Sequence, residues 1–240
     1  MLVFLLYLYL IMFLPFQKSY SQPPPIDSPN NMGNDGQNCL NNNTLSNFPP
    51  VSFLLMRHGQ TDWSFDHLER GVQDLDLNEQ GIKTVLKTAQ TLASRYSSVV
   101  IVSSPKLRTI HTARILQAAI GGDIIIKEGI DARYYGDFSK DKNLASAYRN
   151  AYFNETNLCL PDDAEADEHF TERVRKSIIQ ELSNSCYNNM LLIFVTHGEV
   201  FHYLTKALIG QEMKIEKGTA YLFLPPTDKV NLNWKVLCQE

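Results

Sequence analysis

Cysteine is scarce in this chain: four residues in 240, at Cys39, Cys159, Cys186 and Cys238, with no C-x-x-C pair among them. That spacing argues against a structural zinc site. It leaves two alternatives, one of three disulfide pairings in an oxidising compartment or packed thiols. A basic excess is also missing, with 22 Lys and Arg against 26 Asp and Glu for a net charge of −4. The electrostatic footprint of a nucleic-acid binder is therefore absent. No apolar run reaches the about 20 residues that span a bilayer. The longest, Met1–Phe16, is interrupted at Pro15.

What remains is an ordinary globular composition, 44% hydrophobic and 20% charged, enough for a sizeable core. The short N-terminal apolar run and the small residues Ser19 and Ser21 fit a signal peptide over residues 1–21, cleaved before Gln22. The missing positive n-region and Lys18 on the far flank keep open an uncleaved membrane anchor through residues 2–16. Residues 22–50 are rich in Pro, Asn, Ser and Gly and hold too little apolar area to offset chain entropy; they read as a disordered linker. Asn42-Asn43-Thr44 and Asn154-Glu155-Thr156 are glycosylation sequons, relevant only on a eukaryotic secretory route.

Residues 51–240 read as one α/β domain. Apolar runs at Val51–Met56, Ser98–Val102, Ile124–Ile126, Met190–Val195, Ala220–Leu224 and Leu232–Cys238 are strand candidates. Between them lie helix-length amphipathic stretches: Asn78 to about Tyr96, the segment after Ser104-Pro105 up to Gly121-Gly122, Glu165–Leu182, and Gly198–Leu208. Asn78 is the expected N-cap of the first, and Ser104 with Pro105 at the first helical position the expected start of the second. Tyr135–Pro161 is irregular and aromatic-rich, an insertion. Continuous apolar strands alternating with helices predict a three-layer α/β/α sandwich around a mostly parallel sheet. Ligands of such sheets bind beyond the carboxyl ends of the strands.

Three loops at that edge carry chemistry: Arg57-His58-Gly59, Ser103-Ser104-Pro105 with Arg108 one turn on, and Thr196-His197-Gly198. Two arginines beside two histidines suit a phosphoryl group. Guanidinium forks bind its oxygens bidentately and stay charged, and a neutral imidazole can attack phosphorus. Zinc on His58 and His197 would need further ligands and would be repelled by Arg57, so no metal and no cofactor are expected. His111 and His202 have no matching partner on their helices and read as structural.

Leu55-Met56-Arg57-His58-Gly59-Gln60-Thr61-Asp62-Trp63 resembles the R-H-G-(E/Q)-(T/S)-x-W signature of the histidine phosphatase (phosphoglycerate mutase-like) superfamily, with branch 1-type motifs. The likeness continues through Leu77-Asn78-Glu79-Gln80-Gly81, Ser103-Ser104-Pro105-Lys106-Leu107-Arg108-Thr109-Ile110-His111-Thr112-Ala113, Val195-Thr196-His197-Gly198 and Gly218-Thr219-Ala220, in family order. The resemblance implies a phosphoglycerate mutase-like fold and a metal-independent phosphatase acting on a phosphorylated small molecule or phosphoprotein. In it His58 is the phosphorylated nucleophile, Arg57, Arg108 and His197 form the phosphate pocket, and Ser64 stands where the family often has a contacting asparagine.

One departure concerns the proton donor. Ile130-Asp131-Ala132-Arg133-Tyr134-Tyr135-Gly136 matches the family's L-x-E-x-x-x-G block, and the donor position falls on Ala132. Asp131 in an extended segment should turn to the opposite face; Asp137 follows the glycine, and either is a candidate substitute. Glu165 matches a carboxylate that the family carries before the next helix. Ala132 favours one alternative, a weak or inactive module that binds phospho-ligands. A phosphoglycerate mutase is the second alternative, disfavoured because it must protonate alkoxides in both half-reactions. Export is the expected localisation, with membrane attachment only if residues 1–21 are retained.

Overall fold

The computed structural model describes residues 48–62, 74–136, 161–227 and 234–239. The chain divides between Asn41 and Asn42, and all described residues lie in the second unit, Asn42–Glu240. The signal-peptide and linker assignments fall mainly outside them, as do Ser64, Asp137, Cys39, Cys159, the sequons and most of the Tyr135–Pro161 insertion. No helix among the described residues is long and apolar enough to cross a membrane.

Six strands form one sheet: β1 (Phe53–Arg57), β2 (Val99–Ser103), β3 (Asp123–Ile126), β4 (Leu191–Thr196), β5 (Ala220–Leu224) and β6 (Lys235–Gln239), in the order β3-β2-β4-β1-β5-β6. The four on the β3 side are parallel, whereas β5 is antiparallel to β1, and β6 is antiparallel to β5. Among the described residues four helices cover it: α1 (Glu79–Arg95), α2 (Leu107–Ile120), α3 (Asp167–Leu182) and α4 (Gly198–Ile209). The expected mostly parallel sandwich is what the chain forms.

Period-two alternation sorts the strand side chains onto two faces. Leu54 and Met56 of β1 join Ile101, Ile193 and Val195 against Val85, Ala89 and Leu92 of α1 and Ala113 and Leu116 of α2. Phe53 and Leu55 face the other way, into Phe194, Phe170 and Ile178 of α3 and Phe201 and Leu204 of α4. Phe53 stacks on Phe223 at 4.9 Å and meets Phe194 edge-on at 5.7 Å. Because both faces are covered, the central strands are apolar throughout rather than alternating.

Asn78 caps α1 as expected, its side chain accepting from the Gly81 N–H at 2.8 Å. The start of α2 differs from the expectation. Lys106, not Ser104, is the N-cap, and Pro105 precedes the helix. The physical reason is competition: the Asp74 carboxylate takes the Leu107 N–H at 2.6 Å, and Ser104 turns inward instead. Cys186 and Cys238, the two cysteines among the described residues, are exposed thiols rather than packed ones.

Gly81 shows how closely the first loop sits on α1. A Cβ there would lie 2.2 Å from the Gln60 carbonyl oxygen and 2.6 Å from its nitrogen. The obstacle is backbone, which cannot swing away as a side-chain tip can. Gly81→Ala should therefore destabilise by about 1–3 kcal/mol, despite the roughly 1 kcal/mol that alanine gains in a helix. Gly210, at φ 72° with nothing within 4 Å, should lose only about 1 kcal/mol as alanine. Chemical denaturation of the two variants checks the ranking; equal losses would contradict it.

Candidate active site

Three parallel strands finish flush. Arg57 pairs with Thr196 across β1 and β4, and Ser103 with Val195 across β2 and β4. The chain leaving each strand stays pinned to its neighbour. The His58 N–H donates to the Thr196 carbonyl at 3.0 Å and the Ser104 N–H to that of Val195 at 3.1 Å. From the other side the Gly218 N–H reaches the carbonyls of Arg57 and His58 at 3.0 and 3.2 Å.

Gly59 packs against α1, where a Cβ would lie 2.8 Å from Val85 Cγ2 and 3.0 Å from the Gly81 carbonyl. Its N–H donates to Thr112 Oγ1 at 3.1 Å, and the Thr112 hydroxyl donates to the Arg108 carbonyl at 2.7 Å. With Gly59 so fixed, its carbonyl takes a 2.7 Å hydrogen bond from His58 Nδ1. A carbonyl only accepts, so the neutral ring carries its proton on Nδ1 and its lone pair on Nε2. Burial lowers the His58 pKa well below 6.5, and the neighbouring His197, Arg108 and Arg57 push the same way, outweighing the Gly59 hydrogen bond. His58 is a neutral imidazole at neutral pH.

Arg57 packs over Gly198, whose added Cβ would stand 3.4 Å from the guanidinium carbon. Its Nε is buried and finds no hydrogen-bond partner among the described residues. Such a donor is costly to leave unmet and marks a place where an acceptor belongs. Arg108 Nη2 lies 3.2 Å from His197 Nδ1, and the His58 and His197 rings are 5.4 Å apart. Arg57, His58, Arg108 and His197 are thus brought together as the sequence led us to expect. His197 is nearly fully buried. Its Nδ1 accepts from Arg108, so its Nε2–H faces Ser104 Oγ at 2.7 Å and Asp131 Oδ1 at 3.2 Å.

Asp131 corrects the sequence reading: its side chain turns into the site, not to the opposite face. Asp131 itself has extended backbone (φ −71°, ψ 165°), but the turn before it sets which side chain of the segment enters the site. Glu128–Ile130 form a 3-10 turn with Asp131 at its end. Thr196 Oγ1 donates to the Ile130 carbonyl at 2.6 Å, and Arg173 binds the carbonyls of Gly129, Asp131 and Ala132 at 3.0–3.1 Å. Glu165 holds that arginine in a fork at 2.5 and 2.9 Å, while buried Arg133 donates to the Glu165 carbonyl and pairs with Asp167. Burial tends to raise the Asp131 carboxyl. His197, Lys106 at 3.2 Å and the Ala132 N–H overcome this and bring it down to about 2. Asp131 is therefore held ionised, an acceptor rather than a proton donor.

His111 and His202 stand apart from this cluster, against Asp76 at 2.6 Å and Glu212 at 3.4 Å. No group of three or more His, Cys, Asp or Glu among the described residues could hold a metal ion. Sequence reasoning missed the roles of Ser104, in the loop before α2, and of Thr112, which the R-x-x-x-T spacing could have flagged as the helix-face neighbour of Arg108.

Two half-buried guanidiniums beside a neutral imidazole, at the carboxyl edge of a mostly parallel sheet, make a candidate anion site. The chain belongs to the histidine phosphatase superfamily (branch 1), whose model matches residues 53–220. It is 24% identical over 174 residues to phosphoglycerate mutase-like protein 4 of Arabidopsis thaliana, covering 70% of this chain and 75% of that one. It is 26% identical over 169 residues to the uncharacterized phosphatase PhoE of Bacillus subtilis, covering 69% and 81%. Among solved structures, a mycobacterial glucosyl-3-phosphoglycerate phosphatase complexed with VO3 shares the fold at a TM-score of 0.63 and 19% identity, covering 77% of this chain and 96% of that one. The phosphoglycerate mutase-like architecture expected from the motifs is the one observed.

The depressed His58 and His197 pKa values carry a stability consequence. Below the ordinary value of 6.5 the unfolded imidazoles bind protons that the folded ones refuse. Stability should therefore fall as pH drops from about 6.5, by up to about 1.4 kcal/mol per pH unit for each histidine. Urea denaturation between pH 7.5 and 5 measures this slope, and His58→Gln should flatten it. A slope unchanged in that variant would contradict the neutral buried ring.

Proposed function

We propose that this chain is a metal-independent phosphomonoesterase that works through a phosphohistidine on His58. The observation that carries the reading is the His58 tautomer beside an unmet Arg57 donor: Nδ1–H is committed to the Gly59 carbonyl, so the nucleophilic lone pair is on Nε2. In the first step Nε2 attacks phosphorus as the bond to the leaving oxygen breaks. Arg57 and Arg108 take the charge of the equatorial oxygens. In the second, water attacks phosphorus, the P–N bond breaks with its electron pair returning to Nε2, and phosphate leaves. Ser104 and Asp131 hold the His197 ring from its Nε2 side.

Ala132 occupies the position from which the family resemblance would supply the acid, and Asp131 is held as a carboxylate. Those two facts favour a second reading, a module that binds phospho-ligands with little turnover. We also infer export, from the Met1–Phe16 run and the small residues before Gln22. A native N-terminus at Gln22, read from protein made by its own host, is the expected outcome, and one at Met1 contradicts it.

The enzymatic proposal is tested on the full chain with p-nitrophenyl phosphate, a substrate whose leaving group departs unprotonated. Turnover should vanish in His58→Ala and be untouched by chelator. Arg108→Lys should weaken inhibition by vanadate about 10- to 100-fold, because one charge-assisted fork is lost. Turnover surviving in His58→Ala overturns the nucleophile. Vanadate binding without turnover in the parent chain selects the binding module.

A further inference from the structure

Resting on that phosphatase reading, we propose that His197 takes up a proton when a phosphoryl dianion enters the pocket, and that Asp131 is the positioning residue that makes this possible. His197 Nδ1 lies 3.2 Å from Arg108 Nη2, and the ring stands 5.4 Å from that of His58, so this nitrogen faces the anion-binding side of the site. The other nitrogen points into a fixed chain of acceptors. Thr109 Oγ1 donates to the carbonyls of Lys106 at 2.7 Å and of Ser104 at 3.0 Å. Its one proton thus used, it accepts from Ser104 Oγ at 2.8 Å, and Ser104 Oγ in turn accepts from His197 Nε2 at 2.7 Å. Asp131 Oδ1, 3.2 Å from the same nitrogen, is the second acceptor and the one that carries charge. The Nε2–H tautomer is therefore set from both ends of the ring. A phosphoryl oxygen held by Arg108 then meets the lone pair on Nδ1.

Two facing lone pairs repel. A proton on Nδ1, taken from solvent or from the substrate monoanion, turns that contact into a charge-assisted hydrogen bond, and the imidazolium so formed needs a counter-charge. In the anion-free protein burial keeps the ring neutral, and Arg108 adds to that against the pull of Asp131 and Glu199. The dianion reverses the balance by engaging Arg108 and setting negative charge against Nδ1. The groups bearing on the ring are Arg108 from α2, His58 after β1, Arg57 over Gly198, Glu199 on the first turn of α4, and Asp131. Asp131 is the carboxylate with a contact to Nε2 itself. It is ionised before any anion arrives, and it is fixed there: Oδ1 takes the Ala132 N–H at 2.7 Å, Oδ2 pairs with Lys106 at 3.2 Å, and Arg173 binds its backbone carbonyl. The ion pair with His197 therefore forms without rearrangement. Lys106 competes for the same carboxylate and limits how far it favours the protonated ring.

The test is ¹⁵N NMR of the histidine rings in the full chain, with tungstate as a dianion that does not itself titrate above neutral pH and with signals assigned from single His→Gln variants. Adding tungstate at about pH 7.5 should convert His197 Nδ1 from the unprotonated to the protonated signature, while His58 keeps an unprotonated Nε2. In Asp131→Asn that conversion should be lost at the same pH, and tungstate should bind about tenfold or more weakly, the equivalent of one pKa unit or more. Lys106→Met, at a partly exposed position, should act in the opposite direction: His197 in the complex should keep its proton to higher pH, because Asp131 then serves the ring alone. Nδ1 unprotonated in the parent's tungstate complex overturns the proposal, as does Nδ1 still protonated in that of Asp131→Asn; weaker binding there with unchanged protonation makes Asp131 a structural support only. An unshifted His197 titration in Lys106→Met likewise contradicts it. Turnover of p-nitrophenyl phosphate that depends on His58 upholds the phosphatase reading through any of these failures, whereas a parent chain that binds no tungstate overturns both.

Discussion

The 2.7 Å hydrogen bond from His58 Nδ1 to the Gly59 carbonyl is the contact on which the site depends. It decides which nitrogen of a buried ring keeps its lone pair, and it works only while Gly59 is immobile. Three features secure that. The glycine lies so close to α1 that it has no room for a side chain, Thr112 takes its N–H, and Gly81 lets the helix approach the Gln60 backbone. Residues scattered across the first sixty positions of the domain thus serve one tautomer. The sheet contributes by ending β1, β2 and β4 in register, so that the three loops meet without long excursions.

Electrostatics divides the site into two halves. On one side Arg57, Arg108 and burial keep His58 neutral and ready to share its lone pair. On the other, Asp131 accepts from His197 and is itself held down by Lys106. The loop around Asp131 is as thoroughly fixed as the nucleophile, with Arg173 on three of its carbonyls and Thr196 on a fourth. Asp131, ionised and paired with Lys106, therefore holds no proton to donate.

Much of this was legible in the residues. Apolar runs and helical patterns placed the strands and helices to within about three positions, because strands buried on both faces leave continuous apolar runs. Arg57, His58, Arg108 and His197 could be paired before any geometry was known, since each lies at or just past the carboxyl end of a strand. The start of α2 was misread because the acceptor for its first N–H is Asp74, over thirty residues away and invisible to a local capping rule. Asp131 was misread for a related reason: the 3-10 turn before it is held by Arg173 and Thr196, both distant in sequence.

The central claim is that phosphorus bonds to His58, and a rapid-quench measurement with a ³²P-labelled aryl phosphate addresses it most directly. The predicted result is label on the parent protein that is acid-labile and alkali-stable, located on His58 by peptide mapping and missing from His58→Ala. Label of the same stability that persists in His58→Ala, or burst-free turnover with no labelled protein at any quench time, would contradict it.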